Sequence, residues 1–415
     1  MGTLLVTADA LRDFIAARAI PLPHFDGATL DIEHFAPLDA RLAQTDYVAL
    51  GELNHFIHQK SDFRLWCARW LIDRSWSTFA EELGWSDGVR ANRYLATGDE
   101  GELDRLPSFG YEGHLRSDRD DRPGGILKVE NYPTREFVAE QKRFYRGIRG
   151  ASNGTACLAG IDIDGLPGGS YEDIVHTLAG RDASDFLRAL ARVPGETATQ
   201  EALRLRNART LIALDWPPSV AASLDALAES LDYIARTYSA KSYDALRPGM
   251  AFRERAMKRR LGEAQRLLNT DHLVLMGHAL HLAKRDEALP RGSVGPGGGL
   301  EASLGQWLTH AQGKRLLTIW LMYGEGEDNQ PLANLPRRAD YPRGTLNAML
   351  HKLTDTPLLF FPPDAPELFA RPVKLGQMYN SVLETHLAEQ ADAVVFLPVV
   401  SPLRDDFGLK APLPP

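Results

Sequence analysis

Asp46–His58 reads DYVALGELNHFIH. Its apolar run, Tyr47–Leu50, stops at Gly51 and releases Glu52, Asn54, His55 and His58. A distant stretch, LVLMGHALH at Leu273–His281, repeats the pattern: Leu273–Met276, then Gly277, His278 and His281. Short apolar runs that end at a glycine and hand over to ionisable side chains mark the carboxyl ends of buried parallel strands. Two such ends, far apart in the chain, are expected to converge on one crevice, which is the expected active site.

Outward from these two runs the chain alternates. A helix begins at about Ser61, with Leu65, Ala68, Leu71 and Ile72 on one face and Asp62, Arg69 and Asp73 on the other. Thr78–Glu82 reads as a second strand ending in an acid, and Gly88–Leu95 begins another helix. Thr134–Arg149 is helical, and Thr155–Asp164 is a third strand. From about Tyr171 to Leu268 strand signals vanish, while Leu224, Leu227, Leu231 and Ile234 recur at helical spacing. His272–Met276, Leu316–Tyr323 and Ala393–Leu397 complete the sheet, with a helix opening at Ser303–Leu308. The order predicts an α/β fold: a central, mainly parallel sheet flanked by helices, with a large helical insertion capping the active-site crevice. The implied division is an N-terminal part of the core at 1–170, the insertion at 171–268 and the C-terminal part of the core at 269–415. The Gly-, Asp- and Arg-rich stretch 98–125 reads as a surface loop, a candidate lid.

With 415 residues the chain can bury a large core, and its 44% hydrophobic and 25% charged residues are those of an ordinary globular protein. The net charge of −8 is spread, without a basic stripe. That argues against nucleic acid and anionic membrane surfaces as partners. The start has no basic n-region before Asp9, and no run is long enough to span a membrane, so a cytoplasmic location is expected. Cys67 and Cys157 fall in helical and strand patterns and read as buried free thiols.

Glu52, His55 and His58 are spaced by threes, which aligns side chains if a helix has already begun. A carboxylate beside an imidazole fixes its tautomer and raises its basicity, as a general base near neutral pH requires. The bland alternative is a capping Glu with surface histidines. His278 and His281 form a second H-x-x-H, and Glu52 or Glu82 would complete a metal-ligand set. The metalloprotease form, however, needs histidines four apart with a Glu between, and no Cys or His cluster supports a metal. Neither a metal nor a cofactor is expected. Arg64 is placed to pair with Glu52 or Glu82, or to stabilise an oxyanion. The chain lacks G-x-S-x-G, and the glycines at 295–299 lack the Walker Lys-Ser/Thr.

These motifs together resemble the erythromycin esterase family. GELNH resembles that family's G-E-A-T-H, and FAEELGWSDGVRANRY its strand-Glu-x-x-Trp-x-Asp segment with V-N-R-Y. RERAM at Arg253–Met257 resembles R-D-x-x-M, LMGHALHL the W-A-H-N-x-H strand end, and SLGQWL the helix that follows. DAVVFLP resembles the closing strand. The order holds over about Asp46–Pro398.

The resemblance implies a parallel sheet between helices and hydrolysis of an ester or macrolactone without a covalent intermediate. His55 is then the base that activates water, with Glu52, Arg64, Glu82, His278 and His281 lining the same pocket. Glu52 or Glu82 would orient an imidazole, while Arg64 and one of His278 and His281 would stabilise the oxyanion or protonate the leaving alkoxide. The departures are Asn54 for Thr, Ala279 for Asn, Gly277 and Met276 for Ala and Trp, and Arg260 for Asn; they alter residues expected to face substrate. The expected partner is a small ester or lactone, and the expected enzyme a metal-independent hydrolase of a natural product. Two other readings stand beside it: a biosynthetic enzyme performing intramolecular acyl transfer, elimination or cyclisation, and a metal- or haem-binding module.

Overall fold

The computed structural model describes residues 7–104, 134–285, 300–330, 338, 341 and 343–407, apart from 23, 165–168, 192, 238–239 and 370. Ten strands lie within these residues: β1 (Ile20–Pro21), β2 (Tyr47–Glu52), β3 (Thr78–Gly84), β4 (Cys157–Asp162), β5 (Leu273–His278), β6 (Leu316–Gly326), β7 (Leu358–Phe360), β8 (Val373–Gln377), β9 (Ser381–Thr385) and β10 (Ala393–Val400). Eight form one sheet in the order β1-β7-β10-β6-β2-β5-β3-β4, and β8 pairs with β9 as a separate hairpin. From β10 to β4 every neighbour is parallel; at one edge β7 runs antiparallel to β10, and β1 pairs antiparallel with β7. The sheet is thus mainly parallel and flanked by helices, as the alternation predicts.

Burial on both sheet faces explains the unbroken apolar runs, and period two sorts them. Val48, Leu50, Val274, Met276 and Phe79 pack into the larger core with Phe63, Trp66 and Trp70 of the helix Gln59–Asp73. Tyr47, Ala49, Leu273, Leu275 and Ala80 face the other way, onto Met257, Leu261 and Ala264 of the helix Tyr243–Leu268. Each strand therefore continues two sides of the sheet into its carboxyl end.

Between β4 and β5 the chain builds helices Gly169–Thr177, Ser184–Leu190, Ala198–Ala208, Pro218–Thr237 and Tyr243–Leu268. Ile174, Phe186, Leu205, Leu224 and Leu231 give them a core of their own. Trp85, at the head of the helix Trp85–Thr97, packs between Ala222 and Ala226 and donates its indole N–H to Ser223 at 3.1 Å. The last helix of the set then leads back to β5, in the slot between β2 and β3.

That return brings the carboxyl ends of β2, β5 and β3 side by side, where a crevice is expected in a parallel sheet. The Gly-rich loop at 290–299 and most of 98–125 lie outside the described residues. Cys67 is a buried free thiol as expected, whereas Cys157, at the start of edge strand β4, is only half-buried. No helix among the described residues is long and apolar enough to cross a membrane.

Candidate active site

Gly51 and Gly277 are register partners at the centre of the sheet. A Cβ on Gly51 would lie 2.9 Å from the Trp320 ring, and one on Gly277 would lie 2.8 Å from both Cβ and Oε2 of Glu82. Both strands need glycine there because neighbouring side chains occupy the space. The next residues, Glu52 and His278, are also register partners and close the two strands at their carboxyl ends.

Strand parity sends the acids to different sides. Glu52 and Glu81 follow Leu50 and Phe79 toward the helix Gln59–Asp73, where Arg64 meets both. Arg64 donates from Nη2 to Glu52 Oε1 at 2.7 Å, from Nε to Glu52 Oε2 at 3.3 Å and from Nη1 to Glu81 Oε1 at 2.5 Å. Tyr145 donates to the second Glu81 oxygen at 2.9 Å. Glu82 follows Ala80 to the other side and is met there by Arg253, at 2.6 Å. Arg253 also holds Asp162, its Nε lying 2.9 Å from both carboxylate oxygens. Of the two pairings anticipated for Arg64, the one with Glu52 forms; Glu82 takes a different arginine.

Glu52 is fully buried. Burial works against its charge, but Arg64 and His55 outweigh it and hold the carboxyl at about 2. Its Oε1 lies 3.0 Å from His55 Nδ1. An ionised carboxylate accepts only, so this contact places a proton on Nδ1 and leaves Nε2 as the basic nitrogen. His55 Nε2 faces Glu82 Oε1 at 4.0 Å. Asn54 fixes the loop that carries His55, donating to Tyr323 at 2.8 Å and Asp328 at 2.7 Å while its Oδ1 accepts the Phe56 amide at 2.8 Å.

The second motif supplies two unlike imidazoles. His281 lies between two carboxylates, with Nδ1 2.6 Å from Glu254 and Nε2 3.2 Å from Glu82. Burial opposes its charge, yet the two carboxylates raise it to about 10, so it is an imidazolium at neutral pH. Glu82 in turn stays well below the usual carboxylate range: burial is outweighed by His281, His55 and Arg253. It also accepts the His278 backbone N–H at 2.6 Å.

His278 is pushed the other way, to about 3, by burial and by His55 beside it, their ring centroids 5.1 Å apart. The Leu280 amide donates to its Nδ1 at 3.2 Å, so the proton of the neutral ring sits on Nε2. That Nε2 is buried without a hydrogen-bond partner among the described residues. An unsatisfied buried donor next to a base is what a preorganised oxyanion contact looks like before substrate arrives.

Glu52, His55, Arg64, Glu82, His278 and His281, read from the sequence, all meet in this one network. His58 does not: its Nδ1 contacts Glu140 at 2.6 Å, its Nε2 contacts Asp62 at 3.3 Å, and its ring stacks on Phe407. The spacing of three brings His55 onto Glu52 but does not carry on to His58, because the helix starts only at Gln59. Glu81, Tyr145, Asp162, Arg253 and Glu254 complete the network and were not singled out as site residues. The adjacent acids Glu81 and Glu82 at the end of a doubly buried strand are a signal for the first, and Arg253–Glu254 opens the RERAM segment.

No family model matches the chain, and no curated protein matches its sequence. Solved structures do. A succinoglycan biosynthesis protein superposes with a TM-score of 0.70 over 96% of this chain and 99% of its own, at 15% identity. A protein from Bacillus cereus gives 0.68 over 96% and 98%, also at 15% identity. An erythromycin esterase mutant in its open conformation gives 0.60 over 91% and 96%, at 16% identity. The chain has the erythromycin esterase fold. At these identities the likeness establishes the fold, shared by an esterase and by a protein named for biosynthesis.

Proposed function

We propose that the protein is a hydrolase of an ester or lactone, with water activated by His55 and no metal in the reaction. The observation that carries this reading is the ordered set Arg64–Glu52–His55, with the ring of His278 beside it at 5.1 Å between centroids and the Nε2 of that ring without a hydrogen-bond partner among the described residues. In the proposed step His55 Nε2 removes a proton from water as the oxygen attacks the acyl carbon. The charge that develops on the imidazole is met by Glu52 at Nδ1, and Glu52 is kept ionised by Arg64. The oxyanion accepts from His278 Nε2–H, a neutral donor that loses no proton in doing so. His55, now protonated, returns its proton to the leaving alkoxide. Arg64, engaged by two carboxylates, acts as an orienting group, and His281, clamped at both nitrogens, sets the charge and position of Glu82.

A second reading has support in the likeness to a succinoglycan biosynthesis protein. The same base would activate a hydroxyl of the substrate in place of water, giving acyl transfer or lactonisation. Incubating a panel of simple esters and macrolactones in 18O-labelled water separates the two. Hydrolysis gives an acid carrying one 18O; acyl transfer gives a product without added water. Conversion that stops on chelation with EDTA would overturn the metal-free reading.

A further inference from the structure

Lys60 lies in the first turn of the helix Gln59–Asp73, one turn before Arg64 and on the same face. Long basic side chains usually carry their charge out to water. Lys60 is only 4% exposed, and its Nζ sits 4.3 Å from the centroid of the Phe137 ring. Among the described residues its ammonium makes no hydrogen bond and no ion pair, only this contact with an aromatic face. The acids within reach of its field are engaged elsewhere. Glu52 and Glu81 are bound by Arg64. Glu140 is bound by His58 at 2.6 Å and by the Arg404 amide at 3.1 Å. Burial, and then the charge of Arg64, pull the Lys60 ammonium down to about 8, as expected of a cation short of counter-charge.

Aromatic rings join this position to the proposed base. The His55 and Phe56 centroids are 5.9 Å apart, and those of Phe56 and Phe137 are 6.5 Å apart. We propose that Lys60, backed by Phe137 and Phe56, is a subsite for an anionic group, carboxylate or phosphate, carried by the substrate away from its scissile ester. The inference rests on the reading of the crevice as an ester-binding site and narrows the substrate class to acidic esters. The ring face holds the ammonium in place without neutralising it. An incoming anion supplies the charge-assisted hydrogen bonds that the protein leaves unmade, whereas a neutral substrate leaves a buried cation unpaired.

The test is calorimetric binding at pH 7 to the His55→Ala protein, which is not expected to turn over its ligands. Three ligands of equal length are compared: benzyl hydrogen adipate, its phosphonate-terminated analogue and the neutral benzyl adipamate. At least one anion is expected to bind about ten-fold or more tightly than the amide, and which of the two does so identifies the group. Adding Lys60→Met, or Lys60→Gln should the former lower the melting temperature, is expected to abolish that preference and leave amide binding unchanged; Lys60→Arg is expected to retain it. Equal affinities with Lys60 present, absence of binding by either anion, a preference that survives Lys60→Met, or an equal loss for anion and amide would each overturn the subsite. Turnover by the unaltered protein is read separately. An anion preference without hydrolysis keeps the subsite and rejects the esterase, and hydrolysis without the preference does the reverse.

Discussion

The backbone amide of Leu280 donates to His278 Nδ1 at 3.2 Å and so decides which nitrogen of a buried imidazole carries the proton. A protonated Nδ1 would clash with that amide. The ring is therefore expected to be the Nε2–H tautomer, and 15N shifts of labelled histidine should report it unchanged from pH 5 to 8. His278→Phe is expected to lower kcat by about 10²–10³-fold with a small change in KM, the cost of one lost oxyanion donor. A loss confined to KM would make His278 a substrate-packing residue.

The two histidines of LVLMGHALH also predict a signature in stability. His281 is raised to about 10, so the folded state holds a proton that the unfolded chain releases near 6.5. Its contribution is complete below about pH 6.5 and is lost as pH rises through 10. His278 is lowered to about 3, so between 3 and 6.5 the unfolded chain takes up a proton that the folded state refuses, and stability rises with pH across that window. Urea denaturation at a series of pH values should show a decline above 6.5 of up to a few kcal/mol. His281→Gln should flatten that decline; an equally steep decline in the variant would place its origin elsewhere.

Glu52 is the group on which the orientation of His55 depends. Glu52→Gln keeps the shape but loses the charge that meets Arg64 and His55, and kcat is expected to fall by about 10²–10⁴-fold. Because the carboxyl is held at about 2, below its unfolded value, its stabilising contribution is present above about pH 4.5 and is lost as pH falls toward 2. Glu81→Gln, one residue from the crevice acid Glu82, touches Arg64 and Tyr145 but not His55, and a smaller loss is expected. Equal losses would show that the two acids act as one unit through Arg64.

At Gly277 an added methyl would meet Glu82 at 2.8 Å. Gly277→Ala is expected to displace that carboxylate, weaken the Glu82–Arg253 and Glu82–His281 contacts and destabilise by about 1–3 kcal/mol, as overpacking does. Thermal melts and kcat measured on the same preparation check this. A variant unchanged in both would show that β3 yields at its bulge near Glu81–Gly84.

Much of this was readable because a doubly buried parallel strand leaves a plain mark, an apolar run closed by glycine. Tyr47–Leu50 and Leu273–Met276 gave the sheet centre, and the side chains just beyond them gave Glu52, His55, His278 and His281. The antiparallel edge was not anticipated, since β1 has two residues and β7 three, too few for any period to register. The β8–β9 hairpin was also missed, its buried and exposed positions being interrupted by Gly376 and polar residues. Arg253 and Glu254 lie in a helix rich in charges, and helical spacing alone does not distinguish a charge that faces solvent from one that closes a buried network. His58 misled for a related reason: spacing of three guarantees a shared face only inside a helix, and the helix begins one residue later, so His55 reaches Glu52 through the loop while His58 turns to Glu140 and Asp62.

The central claim is that His55 Nε2 activates the attacking water, and the most direct test is product analysis by mass spectrometry on His55→Ala beside the unaltered protein, with and without EDTA. The account predicts a product heavier by one water from the unaltered protein, unaffected by EDTA, and a loss of about 10³-fold or more in His55→Ala with the thermal melt nearly unchanged. Hydrolysis at an undiminished rate in a well-folded His55→Ala protein would contradict it.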